Sequence, residues 1–172
     1  MAKPSSPEEA TALRARLREL FSYDPVTGYF TRIVTCGGKG AAGRIAGSDY
    51  GKGYRYITVD NKDYRAGHLV WLWMTGKWAD GEIDHIDRNP SNDAWSNLRV
   101  VTRSQNLTNR RVMSNNKLGV KGVNQGRSGK YFATVYVNRK AVRLGAFDNI
   151  GDAAAAVRMG GLRHHGEYYY AE

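Results

Sequence analysis

A single cysteine, Cys36, among 172 residues narrows most sharply what this chain can fold into. It has no partner for an internal disulfide, and it cannot form a Cys-rich zinc cluster. Apolar packing and hydrogen bonding must therefore hold the fold unaided. A chain of this length makes one domain or two small ones, and 41% hydrophobic residues suffice for a core. No apolar run reaches eighteen residues, and the first ten residues are polar and partly acidic. The expectation is a protein that spans no membrane and stays in the compartment where it is made.

Charge indicates what such a fold would meet. The formal net charge is +10, which favours an anionic partner, and nucleic acid is the usual one. Anionic membrane is the other candidate, but no basic amphipathic helix is long or apolar enough to support it. The distribution is more informative than the sum. Residues 94–147 contain no Asp or Glu, yet hold Arg99, Arg103, Arg110, Arg111, Lys117, Lys121, Arg127, Lys130, Arg139, Lys140 and Arg143. A solvated surface ordinarily mixes both signs, whereas a phosphate backbone suits a stretch of one sign.

Ser6-Pro7-Glu8-Glu9 reads as a helix start, with Ser6 as cap and Glu9 completing a capping box. Leu13, Leu17, Leu20 and Phe21 recur at helical spacing, which predicts a helix over 7–21. Tyr23 to Phe30 reads as a turn leading into a strand, and the glycine-rich stretch 37–53 as loop or short strand. Segments 54–59 and 62–64 flank Asp60-Asn61 and predict a hairpin. Residues 66–75 are apolar enough for a buried helix, closed by Gly76. A short strand over 82–87, a polar loop over 88–96, a strand over 98–101 and a polar helix over 102–111 follow. Residues 113–117 have the composition of a linker. Beyond it, 119–124, 130–137 and 141–147 read as strands, and 152–163 as the closing helix.

The densest chemical signal is Ile83-Asp84-His85-Ile86-Asp87, then Asn97-Leu98-Arg99, then Gln105-Asn106. Phosphodiester hydrolysis needs a base for water, a cation on the phosphoryl oxygens and a rigid frame. Histidine titrates near neutrality and can be that base. Aspartate and asparagine supply oxygen ligands, which suit a hard cation such as Mg²⁺ or Mn²⁺. Singly, an Asp-His pair is more often a surface turn and a lone Asn a cap or turn residue. Their order inside an acid-poor basic region is what makes the set informative.

With Arg65-Ala66-Gly67-His68-Leu69-Val70-Trp71, Thr75-Gly76-Lys77-Trp78 and the entry segment Leu20 to Gly28, these motifs resemble the HNH endonucleases of phages and mobile introns. The resemblance covers roughly residues 13–111. It implies a ββα-metal fold in which His85 activates water, Asp84 and Asn106 bind one divalent ion, and Asn97 holds the loop that orients His85. No structural zinc is expected. Many relatives carry Asp-Asn-Arg before the middle Asn, whereas this chain has Asn92-Asp93-Ala94. The third motif position is Asn106 rather than histidine, and neither change removes a needed group. His68 matches a family position; packing on its helix is the favoured reading and DNA contact the alternative. His164 and His165 read as surface residues.

A second resemblance lies in residues 117–170: Lys121-Gly122-Val123, Gly129-Lys130-Tyr131-Phe132-Ala133, Leu144-Gly145-Ala146-Phe147 and Asp152-Ala153-Ala154-Ala155 are similar to the plant Apetala-type (ethylene-response-factor) DNA-binding domain. It implies a three-stranded antiparallel sheet with one face in the major groove and the other on a helix. The family's groove-facing positions fall on Asn124, Gly126, Ser128, Thr134, Tyr136, Ala141 and Arg143. Most of the family's arginines and tryptophans are absent there, so its sequence preference does not transfer. Lys121, Arg127, Lys130, Arg139 and Lys140 remain as phosphate contacts, with Arg99, Arg103, Arg110 and Arg111 upstream. Arg143 and Asn124 are the candidates for base edges.

The expectation is an α+β protein: an HNH domain over 1–112, a linker over 113–117, and a small three-stranded sheet packed on one helix over 118–172. Its expected activity is metal-dependent cleavage of double-stranded DNA, nicking or double-strand, of homing or phage type. A DNA-binding protein with a disabled nuclease domain is the alternative. An RNA-directed protein has less support, because no base-stacking platform motif is present. If phage-encoded, the chain would act in the host cytoplasm as a monomer or weak dimer, with other phage proteins as further candidate partners.

Overall fold

The structure is a computed structural model that describes residues 2–36, 40–51, 53–103, 105–106, 112, 116–137 and 140–169. It is α+β, with helices and several small antiparallel sheets in two compact units, Met1–Val100 and Val101–Glu172. Arg110, Arg111, Arg139 and residues 113–115 of the expected linker lie outside the described residues. No helix among the described residues is long and apolar enough to cross a membrane.

In the first unit, helix α1 (Pro7–Leu20) starts where Ser6 accepts from the Glu9 amide at 3.2 Å. The Glu9 carboxylate turns to the Ser5 amide and hydroxyl, each at 2.6 Å, instead of closing a box on Ser6. Phe21 leaves the helix with extended backbone (φ −138°) and opens β1. The helix is thus one residue shorter than its apolar spacing suggested, because Phe21 is buried from a strand. What the sequence presents as a turn before one strand is a full hairpin, β1 (Phe21–Asp24) paired antiparallel with β2 (Tyr29–Arg32). Asp24 organises its turn, accepting from the Val26 amide and the Thr27 hydroxyl.

Strands β3 (Ser48–Asp49), β4 (Arg55–Val59) and β5 (Lys62–Arg65) form a second antiparallel sheet. Asp60 (φ 46°) and Asn61 (φ 63°) both adopt left-handed backbone at the β4–β5 turn, the geometry that matches strand twist in a two-residue hairpin. Helix α2 (Ala66–Thr75) ends where Gly76 turns left-handed (φ 77°) and donates to Leu72 O. Gly76 has no Cβ to oppose that conformation. Leu17, Phe21, Phe30, Ile57, Leu69 and Leu72 are fully buried and knit α1, α2 and the two sheets together. Truncating a buried Phe or Leu in such a cluster typically costs about 2–5 kcal/mol.

Strand β6 (Glu82–His85) pairs with β7 (Leu98–Val101). The chain leaves β6 at His85, two residues earlier than the apolar pattern implies. Arg88 takes a left-handed φ of 60° and donates to His85 O, which turns the backbone out of the strand.

In the second unit, Arg103, Gln105 and Asn106 are helical. A sheet of order β10-β9-β8 follows, built from β8 (Val123–Gln125), β9 (Tyr131–Val137) and β10 (Lys140–Phe147). β8 begins four residues later than expected, because Gly119 and Gly122 have φ of 65° and 72° and the chain there turns. Val123, Ala133 and Val135 point inward onto Ala153 and Val157 of helix α3 (Ile150–His165). Asn149 caps that helix by accepting from the Asp152 amide at 2.8 Å.

Candidate active site

His85 is the last residue of β6, buried at 7% exposure. Its Nε2 lies 3.0 Å from Oδ1 of Asp93, which is only 2% exposed. The turn that follows is held by Asn97. Its Oδ1 accepts from the Asp87 amide at 3.0 Å, and its Nδ2 donates to Asp87 Oδ1 (2.9 Å) and Asn92 O (2.8 Å). The Ile86 amide also donates to Asn97 O. One buried asparagine thereby straps both ends of the loop to the strand pair, and a strap of this kind fixes the exit angle of His85.

Asp87 completes the strap. Burial pushes its carboxyl up, but hydrogen bonds from the Asn92 side chain, the Asn89 amide and the Asn97 side chain outweigh that and hold it below the ordinary carboxylate range. It therefore stays an ionised acceptor as pH falls toward the usual carboxylate region.

Asp84, beside His85 in β6, is 7% exposed, and its Oδ2 accepts from Arg99 Nε at 2.9 Å. Arg99, expected on a phosphate, is thus directed onto Asp84 from β7. This carboxylate already faces a cation, so an oxygen-binding divalent ion there would exchange one positive partner for another. The chemistry fits a hard cation. Among the described residues no three His, Cys, Asp or Glu side chains converge to hold a metal. Asn106 and the exposed Arg103 lie in the second unit, where the Asn106 amide donates to Thr102 O at 3.0 Å.

A small cleft beside His85 is lined by Tyr54, Arg65, His68, Pro90 and Asp93, among others. His68 stacks on Trp78 with centroids 5.4 Å apart. Burial, then the positive Arg65, push its pKa down to about 4, so it packs as a neutral ring.

Asp93 is the residue the sequence reading missed, since an aspartate in a polar loop looks like a turn former. Three contacts from far along the chain hold it. The Tyr23 hydroxyl donates to Asp93 O at 3.0 Å, and the Trp95 amide donates to Pro25 O at 3.0 Å. Gly28, at φ 75°, presses against the 93–94 peptide so closely that a Cβ would stand 2.3 Å from Ala94 N. Burial, then the charges of Asp93 and Asp24, push the Tyr23 hydroxyl upward, so it remains a donor.

In the second unit, Thr134 faces Arg143 and Tyr136 faces Ala141 across β9–β10, on the sheet side opposite α3. Phe132, opposite Asn124, shares that side and is 42% exposed, beside Tyr136 at 63%. The alternation Phe132, Thr134, Tyr136 against buried Ala133 and Val135 was the available signal for Phe132. Arg127, Lys140 and Arg143 are exposed. Lys130 pairs with Asp148 at 3.0 Å, and Lys121 stands over the Tyr169 ring. Gly126 and Ser128 lie in the β8–β9 turn, where the Gly126 amide donates to Lys130 O. His165 stacks on Tyr169, and His164 is exposed.

Over 55 residues, 31% of this chain, the sequence is 45% identical to Protein 3.8 of Escherichia phage T7. The match takes in 46% of that protein, so the chain spans less than half of the curated relative it matches. No solved structure matches. Residues 64–108, which run from β5 past β7 and contain Asp84, His85, Asp93, Asn97 and Asn106, match the family model of the HNH endonucleases.

Proposed function

We propose that this protein is a metal-dependent DNA endonuclease with a second, Apetala-type DNA-binding module over residues 118–172. The observation that carries the reading is His85 itself: a buried imidazole at a strand end, with one ring nitrogen on a carboxylate and its loop strapped by Asn97. Such a ring has one nitrogen left to take a proton from water. Asp84 would hold a single Mg²⁺ or Mn²⁺, for which the resemblance to the HNH motif also implies Asn106 as a ligand, and the ion when bound supplies Lewis-acid stabilisation of the phosphoryl oxygens. Asn97 keeps the His85 loop from relaxing as the substrate binds, and Arg99 balances the Asp84 charge.

The test is incubation of supercoiled plasmid with the full chain in Mg²⁺ or Mn²⁺. Conversion to nicked or linear product is expected, and EDTA should stop it. Plasmid that is bound but left supercoiled in both metals would instead favour a DNA-binding protein with a disabled nuclease site.

For the second module, the face of β8–β10 that carries Asn124, Thr134, Tyr136 and Arg143 supports docking on the double helix, with Arg143 and Asn124 toward base edges. Arg127 and Lys130 in the β8–β9 turn and Lys140 at the start of β10 would flank it on phosphates, Lys130 exchanging Asp148 for one. Each phosphate contact contributes about 0.9 to the slope of log affinity against log salt. Replacing Arg127, Lys130 and Lys140 together by Ala should weaken binding and flatten that slope by up to about 2.7, read by fluorescence anisotropy across a salt series. An unchanged slope would remove this face from the interface.

A further inference from the structure

We propose that Asp93 is a positioning residue for the nuclease chemistry, forming with His85 a buried carboxylate–imidazole dyad that keeps the proton on Nε2 and leaves Nδ1 as the base. The inference rests on the nuclease reading of His85 and adds to it a residue in the loop between β6 and β7.

The carboxylate is placed with more constraint than a loop residue needs. Its peptide is gripped by the Tyr23 hydroxyl and wedged against Gly28, while the Trp95 amide ties the next turn to Pro25. On its other side Gly67, at the start of α2, leaves room for the carboxylate, since a Cβ there would approach Asp93 Oδ1 to 3.2 Å. One oxygen meets His85 Nε2, and the other, Oδ2, is buried without a hydrogen-bond partner.

That second oxygen carries the argument. A buried carboxylate with half its acceptor capacity unused is costly for a fold, and a purely structural aspartate would have its oxygens satisfied, as Asp87 does through Asn92, Asn97 and Asn89. A carboxylate not neutralised by other donors acts with its full charge on the one group it touches. For His85 that does two things. It selects the tautomer with the proton on Nε2, since only an N–H can face a carboxylate at 3.0 Å. It also stabilises the imidazolium that exists once Nδ1 has taken a proton, as carboxylates behind catalytic imidazoles generally do. In the step itself, the water proton moves to Nδ1 while the water oxygen bonds to phosphorus and the ester P–O bond breaks. The departing oxygen takes a proton from solvent, and His85 returns its own to solvent before the next turnover.

Two substitutions in the full chain test this. Asp93→Asn keeps the shape and an acceptor oxygen but removes the charge; Asp93→Leu fills the space and removes the acceptor. With supercoiled plasmid at saturating Mn²⁺ and fixed pH, kcat should fall about tenfold in Asp93→Asn and further, toward 100-fold, in Asp93→Leu, consistent with the range for acid–base assistance. KM and DNA affinity should stay within about twofold, since affinity comes mainly from phosphate contacts that neither change touches. The melting temperature of Asp93→Asn should equal or exceed wild type, because an incompletely paired buried charge is gone. Long-range ¹H–¹⁵N spectra of the metal-free protein should show His85 as the Nε2–H tautomer in wild type and a mixture in Asp93→Leu. Wild-type kcat in folded Asp93→Leu, or an unaltered His85 tautomer there, would overturn the proposal. So would a loss of kcat in Asp93→Asn matched by a loss of melting temperature. A wild-type chain that cleaves nothing, yet shows the Asp93-dependent tautomer, would keep the dyad and overturn the nuclease reading alone.

Discussion

His85→Ala should lower the rate of plasmid cleavage by at least about 100-fold, the low end of what a positioned general base contributes, while DNA affinity changes by no more than a few-fold. The imidazole supplies a proton acceptor and none of the positive charge that holds a phosphate backbone, so chemistry and binding should separate. Alanine has a side effect that must be read apart from this. It leaves Asp93, 2% exposed, with neither oxygen bonded, and removing one partner of a buried pair typically costs about 3–5 kcal/mol. His85→Gln avoids this, because its amide still offers an N–H toward Asp93 but has no basic nitrogen. Both variants should be inactive, and only the alanine should melt markedly lower. A folded His85→Gln protein that cleaves near the wild-type rate would remove His85 from the base role.

The second large effect concerns Asp84. At a fixed, moderate Mg²⁺ or Mn²⁺ concentration, Asp84→Ala should end detectable cleavage. A bound divalent ion contributes several kcal/mol to phosphoryl transfer, and each 1.36 kcal/mol is tenfold in rate, so a loss of 100-fold or more is expected. Asp84→Asn, which keeps an oxygen but loses the charge, should recover part of the rate as metal is raised. The Arg99 guanidinium, 2.9 Å from Asp84 Oδ2, bears on how this is read. In Asp84→Ala the arginine loses that carboxylate, so melting curves must accompany the kinetics. Full cleavage by wild type in excess EDTA, or a metal titration unmoved in Asp84→Asn, would contradict the assignment.

Where the sequence was readable, local physics dictated the answer. The bounds of α2 follow from a mostly apolar run ending at a glycine, and the β4–β5 turn from two residues that tolerate left-handed backbone. His85 and Asn97 stand out because each sits in a short contiguous motif, Ile83 to Asp87 and Asn97-Leu98-Arg99. Asp93 could not, since its role depends on Tyr23, Pro25 and Gly28 arriving from some seventy positions upstream, and no spacing rule encodes that approach. The first strand of the second unit starts later than the apolar pattern predicts, for a related reason. Leu118 and Val120 do pack on that unit's core, so the apolar pattern is real, but Gly119 bends the backbone between them and Gly122 bends it again just before Val123. Phe21 shows the same limit at a helix end, where burial from either a helix or a strand leaves the same apolar residue in the sequence.

The hairpin of β1 and β2 sits outside the stretch that matches the HNH family, yet it forms the wall on which the Asp93 loop rests. Residues 64–108 transplanted into another scaffold would carry the recognisable motif without Tyr23, Pro25 and Gly28, and His85 would face an aspartate free to swing toward solvent. The unit of kinship and the unit of chemistry therefore have different borders. The shortest portable piece that keeps the His85–Asp93 pair in place has to begin upstream of Tyr23, and a relative that preserved every motif residue while altering that turn would have changed the setting of its histidine from the outside.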